Sequence, residues 1–194
     1  LACAGAAVTA QAQAQVNVLC SVPMPWCEAI AAQFTKDTGI KVGLSQKAAG
    51  EAMAQIAAEK ANPKHDVWYA GSGDAHLQAA EQGLTEEYRS PMLPQLYDWA
   101  VKQAEQAKYR TVGLFIGALG FGYNSDLLAK KKLPEPKCWA DLARPEYKDE
   151  LQIANPNASG TAYMTIATLV QVFGEDKAFD LLRGMHRNTN NYPR

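Results

Sequence analysis

The stretch VNVLCSVPMPWCEAIAAQFTKDTGIKV, residues 16–42, contains a β-prone run, an amphipathic helix pattern and a second β-prone run. Residues 16–22 predict the first strand. The helix that follows has a proline in its first turn, where a missing N–H is tolerated, and Gly39 marks its end. Its apolar face is defined by three residues at helical spacing, Trp26, Ile30 and Phe34. This order indicates an α/β fold with parallel strands.

The same alternation continues through the next forty residues. IKVGLSQ (40–46) and HDVWYAG (65–71) predict strands, and GEAMAQIAAEKANP (50–63) and AHLQAAEQG (75–83) predict helices. Short loops of small residues follow the three strands, at 21–25, 45–50 and 71–74. Ligands bind beyond the carboxyl ends of the strands in an open parallel sheet, so we expect these loops to face one site.

The rest of the chain predicts a crossing strand and a second α/β block. A helix is expected at 96–108, and the glycine-rich apolar segment 113–124 is expected to leave one sheet and enter another. Beyond it the pattern predicts a short helix, a strand and two longer helices, at 139–142, 151–154, 160–174 and 176–186. The expected organisation is therefore a first lobe, a crossing strand and a partial second lobe, at 16–112, 113–124 and 125–194.

Composition argues against a nucleic-acid partner and against a membrane-spanning segment. The 194 residues are 47% apolar with a net charge of -1, and the only basic run is Lys130 to Lys132, which a solvated helix end explains. Binding to nucleic acid needs a basic patch to neutralise phosphates, so we expect no nucleic-acid partner. After residue 15 no run approaches the roughly 20 apolar residues that span a bilayer.

The first residues, LACAGAAVTAQAQAQ (1–15), are small and uncharged, and Ala12-Gln13-Ala14 fits the small-x-small rule of a signal-peptidase site. We interpret them as the remnant of a signal peptide that directs export to the periplasm of a Gram-negative cell. The alternative is a polar N-terminal arm. Lipid attachment at Cys3 is conceivable.

Export places the cysteines in an oxidising compartment. Cys20 and Cys27 flank a turn between a strand and a helix, close enough for a disulfide if the turn folds back. Cys138 is then unpaired, and we expect it to pack behind Trp139 as a small buried hydrophobe. No spacing typical of a zinc site or a cysteine nucleophile is present in the sequence.

Small polar residues at predicted helix starts are the candidate ligand-binding groups. Their hydroxyls and N–H groups suit the binding of an oxyanion without covalent chemistry. A plain turn or helix cap is the alternative for each of them. The candidates are Ser21, Trp26, Ser45, Gly50, Glu51, Ser72, Gly73, Asp74, Ser159, Gly160 and Thr161. The last three belong to NPNASGTAY (155–163), which either caps the long helix or holds an anion at its start.

Other chemistries fit less well. GSGDAH (71–76) lacks the third glycine of a dinucleotide fingerprint, and its serine lacks the spacing of a G-x-S-x-G nucleophile. Glu51, Asp74 and His76 have the oxygen and nitrogen atoms that a metal ion needs. The other interpretation is that Asp74 caps its helix while His76 packs on the surface. Trp26 and Tyr69 line the cleft or belong to a half-buried core.

Four segments in order carry a family resemblance: residues 16–42, GEAMAQIAAEKANPKHDVWYAGSGDAHLQAAEQGL (50–84), LGFGYN (119–124) and NPNASGTAYMTIATLVQVFGED (155–176). Together they resemble periplasmic substrate-binding proteins of ABC transporters, in the group called iron(III)-transport-like. The resemblance implies a type II binding-protein fold, in which two α/β lobes joined by crossing strands close on a ligand. It also implies a monomer without a cofactor that delivers its solute to an inner-membrane ABC permease. The second lobe would be incomplete, which predicts exposed apolar surface and weak ligand binding.

The resemblance allows two ligand classes. Iron-binding members use two adjacent tyrosines and a synergistic anion, whereas this sequence has no Tyr-Tyr pair and Tyr192 stands alone. Related members bind small anions through serine and threonine hydroxyls and helix starts. We therefore expect a small anionic solute ahead of ferric iron. Two alternatives stay open: an α/β enzyme on a phosphate-containing molecule with Asp74 and His76 as acid and base, and an accessory protein that presents a solute to a membrane sensor.

Overall fold

The computed structural model describes residues 15–193. The signal-peptide prediction for the residues before Gln15, and that of a lipid at Cys3, lie outside this range. Within it, no helix combines the length and the apolar character needed to cross a membrane.

The first sheet has three parallel strands in the order β2-β1-β3. They are β1 (Gln15–Cys20), β2 (Lys41–Gln46) and β3 (Val67–Tyr69). The central position of β1 follows from its sequence, because Leu19 and Cys20 are fully buried between its two neighbours. The parallel register aligns the carboxyl ends of all three strands at one edge, as predicted.

Four helices accompany this sheet, close to their predicted positions. They are α1 (Met24–Thr38), α2 (Ala49–Ala58), α3 (Gly73–Glu81) and α4 (Asp98–Gln106). Their buried positions are mostly alanines: Ala52, Ala75, Ala79, Ala100 and Ala104. Such small side chains let the helix backbones lie close to their neighbours.

The predicted apolar face of α1 is exposed. Trp26, Ile30 and Phe34 have exposed fractions of 59%, 48% and 38%. The buried residue of the helix is Cys27, which forms a disulfide with Cys20 and so ties α1 to the centre of the sheet.

The disulfide predicted from the spacing of Cys20 and Cys27 is present, because the turn between them folds back and brings their Cα atoms to 6.4 Å. Cys138 is unpaired, as predicted, but it is exposed rather than buried behind Trp139. It precedes a 3-10 helix (Trp139–Ala143), where its side chain and that of Asp141 form a reciprocal capping box. A capping position places the thiol at the surface, which explains the wrong prediction.

The crossing strand predicted at 113–124 is not formed in the described residues. Residues 112–124 belong to no helix and to no sheet. A strand needs a neighbouring backbone to satisfy its N–H and C=O groups, and no described residue pairs with this segment. Leu114, Phe115 and Ile116 are consequently exposed.

The second block contains one helix and one strand more than predicted. Helix α5 (Ser125–Lys131) precedes β4 (Leu151–Gln152), and α6 (Gly160–Phe173) and α7 (Glu175–Asn188) lead to β5 (Thr189–Asn191), which pairs with β4 in parallel. The unpredicted elements are α5 and β5. Two further 3-10 helices lie at Leu93–Gln95 and Pro145–Tyr147. The core of the block is formed by Leu142, Leu169, Ala178 and Met185.

Candidate functional site

The loops of the first sheet contact the NPNASG segment of the second block. The Gly50 N–H, at the start of α2, donates a hydrogen bond to the Ala158 carbonyl oxygen at 3.0 Å. A Cβ added at Gly50 would lie 2.3 Å from the Asn157 carbonyl oxygen, so only glycine fits there. The backbone of α2 and the segment before α6 are therefore in direct contact.

A second contact joins the starts of α6 and α3. A Cβ added at Gly160 would lie 2.0 Å from Ser72 Oγ and 3.2 Å from Ala49 Cβ. The first turns of α2, α3 and α6 thus converge on one place. The N–H groups of a first helical turn lack intrahelical acceptors, and the helix dipole makes this end positive. Three converging helix starts form a concentrated set of hydrogen-bond donors.

The start of α6 combines both roles considered for NPNASGTAY. Ser159 is the N-cap, and its Oγ accepts a hydrogen bond from the Ala162 N–H at 3.3 Å, which confirms the cap prediction. No acidic residue lies in the first turn of α6. The N–H groups of Gly160 and Thr161 precede the first helical hydrogen bond. Thr161 is exposed, so this end of the helix is accessible.

Two polar atoms at the start of α3 are buried without a hydrogen-bond partner in the described structure. They are Ser72 Oγ and Asp74 Oδ1. Ser72 occupies the N-cap position, but its side chain makes no capping hydrogen bond. Asp74 lies in the first turn rather than at the cap, which corrects the capping interpretation of this residue. Buried polar atoms without partners are costly, and a ligand that supplies the missing partners would remove that cost.

Ser21 lies beside these loops, immediately after β1. Its Oγ accepts a hydrogen bond from Trp68 Nε1 at 2.8 Å. The Trp68 ring stacks on His76, with ring centroids 3.8 Å apart. His76 Nε2 in turn bonds to the Ala70 carbonyl oxygen at 2.8 Å. Burial lowers the pKa of His76, although the Ala70 carbonyl and the Asp74 carboxylate oppose this effect.

The remaining candidates are more scattered. Gly73 is exposed at the start of α3, and Glu51 is half-buried in the first turn of α2. Ser45 is exposed in β2 and lines a shallow polar groove with Gln55 and Glu59. Trp26 is exposed on α1. The contacts between α2, α3 and the NPNASG segment are made by Gly50, Ser72 and Gly160, so only part of the predicted set comes together.

The metal alternative is wrong for the described residues, where no group of three or more His, Cys, Asp or Glu side chains is placed to hold a metal ion. His76 stacks on Trp68, and its Nε2 bonds to the Ala70 carbonyl oxygen, so it packs against the loop after β3. A histidine held in this way serves the packing of the loop.

A large cavity lies elsewhere, in the second block. It is an open groove of about 940 Å³ with a mostly apolar lining that includes Phe121, Leu151 and Ile166. Ser159 and Thr161 reach one end of it, but Ser21, Gly50 and Ser72 do not line it. We therefore place the candidate site at the converging helix starts.

Two parts of the site were missed from the sequence. Trp68 lies next to the end of β3 and contacts Ser21, and Ala49 packs between Gly71 and Gly160. The sequence contained a hint of Trp68, because it lies one residue before Tyr69, which was considered as a residue lining the cleft, on the same strand end. The contact of Ala49 depends on the tertiary arrangement and has no local signal.

Three comparisons relate this chain to known proteins. A family model described as "Bacterial extracellular solute-binding protein" matches residues 62–192. An uncharacterized Haemophilus influenzae protein is 39% identical over 99% of this chain and 56% of its own length. The Fe(3+)-binding periplasmic protein of Serratia marcescens is 29% identical over 82% of this chain and 45% of its own length.

Solved structures give the same result. The periplasmic binding protein AfuA of Actinobacillus pleuropneumoniae, with exogenous fructose-6-phosphate bound, superposes with a TM-score of 0.87 at 40% identity, over 94% of this chain and 57% of that one. The periplasmic binding protein P5PA superposes with a TM-score of 0.89 at 35% identity, over 93% of this chain and 58% of that one. This chain spans about half the length of these relatives. Both solved structures are of periplasmic binding proteins, not of enzymes.

Proposed function

The chain belongs to the bacterial extracellular solute-binding proteins, and we propose that it binds a small phosphorylated solute between its first-sheet loops and the start of α6. The observation that supports this most strongly is the contact of Gly160 with Ser72. It brings together helix starts from both blocks, and such ends bind phosphate through N–H groups and the helix dipole.

The donor set favours an oxyanion over ferric iron. Iron(III) needs anionic oxygen ligands, whereas the converging groups are serine and threonine hydroxyls and backbone N–H groups. The 40% identity to AfuA, a protein with fructose-6-phosphate bound, adds to it, because the iron-binding relative is more distant at 29%.

The buried Asp74 carboxylate favours an organic phosphate over inorganic phosphate. Asp74 Oδ1 has no donor in the described structure, and an acidic side chain near an anion is tolerated when it accepts a hydrogen bond. A sugar hydroxyl is such a donor. A solute with a phosphate at one end and hydroxyls at the other would satisfy both the helix starts and Asp74.

The cellular role follows from the family. Relatives named periplasmic support export to the periplasm, and family membership supports delivery of the solute to an ABC permease in the inner membrane. Cys20 and Cys27 support the same location, since their disulfide needs an oxidising compartment.

Thermal shift measurements test the proposal. The protein, expressed from its complete reading frame, is heated with fructose 6-phosphate, fructose, inorganic phosphate, a phosphonate, a polyamine or iron(III) citrate. At 100 times Kd a ligand adds about 2.7 kcal/mol to the free energy of unfolding. We expect stabilisation by the hexose phosphate and none by fructose. Stabilisation by iron(III) citrate or polyamine alone would contradict the proposal.

A further inference from the structure

The Ser21 hydroxyl has only one of its hydrogen-bonding roles occupied. Its oxygen accepts the Trp68 indole N–H at 2.8 Å. A hydroxyl has a single hydrogen to donate, and no described residue accepts it from Ser21. The indole nitrogen is itself a donor only, so this pair cannot reverse its polarity. The hydrogen of Ser21 is therefore available to a bound solute.

The Trp68 ring is held firmly enough to fix this hydroxyl. It stacks on the His76 ring at 25° between planes, and His76 is anchored by its bond to the Ala70 carbonyl oxygen. Ala70 and Gly71 both have positive φ, 61° and 104°, so the chain turns sharply after β3. This turn brings Gly71 against Ser21, where a Cβ on Gly71 would lie 3.0 Å from Ser21 Cβ.

The same turn connects Ser21 to the converging helix starts. Ala49 Cβ lies within 3.3 Å of a Cβ built on Gly71 and within 3.2 Å of one built on Gly160. Ser21, Gly71, Ala49 and Gly160 thus form a continuous set of contacts. Ser21 is half-exposed, which leaves its hydroxyl accessible.

We infer that Trp68 is a positioning residue that holds the Ser21 hydroxyl so that it donates its hydrogen to the anionic group of the solute. The inference rests on the proposed function. It adds a residue that touches no solute but acts on binding through Ser21, because the Trp68 N–H occupies one lone pair of Ser21 Oγ and leaves the hydroxyl hydrogen for an accepting oxygen.

Affinity measurements test the inference with three variants. Titration calorimetry with fructose 6-phosphate compares Ser21→Ala, Trp68→Phe and the double variant in the protein expressed from its complete reading frame. Ser21→Ala should bind fructose 6-phosphate about 10- to 100-fold more weakly, because it loses a hydrogen bond to a charged group. We expect a loss of about 3- to 10-fold in Trp68→Phe, which keeps the ring but removes the N–H. The double variant should bind no more weakly than Ser21→Ala, because Trp68 acts through Ser21.

Trp99→Phe is the matched control, since the Trp99 indole makes no hydrogen bond in residues 15–193, and we expect wild-type affinity. Equal affinities of Trp68→Phe and wild type, or additive losses in the double variant, would overturn the inference while leaving the proposed function intact. No binding of fructose 6-phosphate or inorganic phosphate by the wild type would overturn both.

An NMR measurement keeps the inference testable if Trp68→Phe does not fold. Each tryptophan gives one indole N–H signal in a ¹⁵N-labelled protein. When Ser21 donates to an anion its oxygen becomes a better acceptor, so the Trp68 proton should move downfield on addition of fructose 6-phosphate. In Ser21→Ala this shift should vanish. An unchanged chemical shift of the Trp68 indole proton on addition of fructose 6-phosphate to the wild type would contradict the inference.

Discussion

Gly160 at the start of α6 lies directly against the side chain of Ser72 at the start of α3, with no room for a methyl group between them. This contact joins two segments that are about ninety residues apart in the sequence. It defines the place where the two blocks of the chain meet, and it limits what each helix start can carry.

Gly160→Ala should therefore separate the two helix starts. Its Cβ would lie 2.0 Å from Ser72 Oγ, a distance that forces movement, and overpacking of this kind costs about 1–3 kcal/mol. We expect solute affinity to fall by a factor of about 5 to 150. Titration calorimetry measures this loss. Gly117→Ala is the control, because a Cβ there meets nothing within 4 Å. Equal affinities in the two variants would show that the contact is irrelevant to binding.

Removal of the disulfide should destabilise the first sheet. Cys20 and Cys27 close a short loop, and the chain-entropy model assigns about 2–3 kcal/mol to such a crosslink. The double variant Cys20→Ala, Cys27→Ala should lose about 2–3 kcal/mol of unfolding free energy and so unfold at a lower denaturant concentration. Cys138→Ser should not, since Cys138 is unpaired and exposed. Denaturation in urea, with and without reductant, makes the comparison. A wild type insensitive to reductant would argue against the bond.

Asn188 should be the most important polar residue in the second block. Its buried Nδ2 donates to the carbonyl oxygens of Leu142 and Arg144, at 2.8 Å and 2.7 Å. Asn188→Ala removes two hydrogen bonds of a buried side chain, although the Arg144 carbonyl oxygen keeps the Tyr147 N–H as a donor, and should cost about 2–3 kcal/mol of unfolding free energy. Asn190→Ala removes one exposed bond, to the Asp149 carbonyl oxygen, and should cost less than about 1 kcal/mol. Urea denaturation of both variants decides; similar losses would contradict the assignment.

His76 should make stability depend on pH in the weakly acidic range. Burial lowers its pKa in the folded state below the ordinary value of 6.5, so the unfolded chain binds the proton more readily. The contribution is present above pH 6.5 and is lost as the pH falls below it. His76→Phe keeps an aromatic ring beside Trp68, and its unfolding free energy should fall less between pH 7 and pH 5 than that of the wild type. Identical pH profiles would exclude this role.

Residues 16–83 show how far the sequence predicts the fold. Periodicity and turn residues identify three strands and three helices near their observed bounds. The burial of α1 was not predictable in the same way. Trp26, Ile30 and Phe34 form an apolar stripe, but all three are exposed, because an apolar pattern does not reveal whether a neighbouring element covers it.

The site was predicted where helix starts follow strands and missed where contacts are tertiary. Ser21, Gly50 and Ser72 come together because parallel strands align their ends at one edge. Gly160 joins them by a tertiary approach to Ser72 and Ala49. Trp68 was overlooked because a tryptophan in a strand has the same pattern whether it packs in a core or holds a hydroxyl. The strand prediction for the segment 112–124 failed because a strand must pair with a neighbour. Its composition favours a strand, but no local pattern reveals whether that neighbour exists.

A crystal structure of the protein, expressed from its complete reading frame and bound to fructose 6-phosphate, tests the central claim most directly. We predict that phosphate oxygens accept hydrogen bonds from the Ser21 hydroxyl and from the N–H groups of Gly160 and Thr161. A sugar hydroxyl should donate to Asp74. A phosphate bound away from these helix starts, or a metal ion in its place, would contradict the claim.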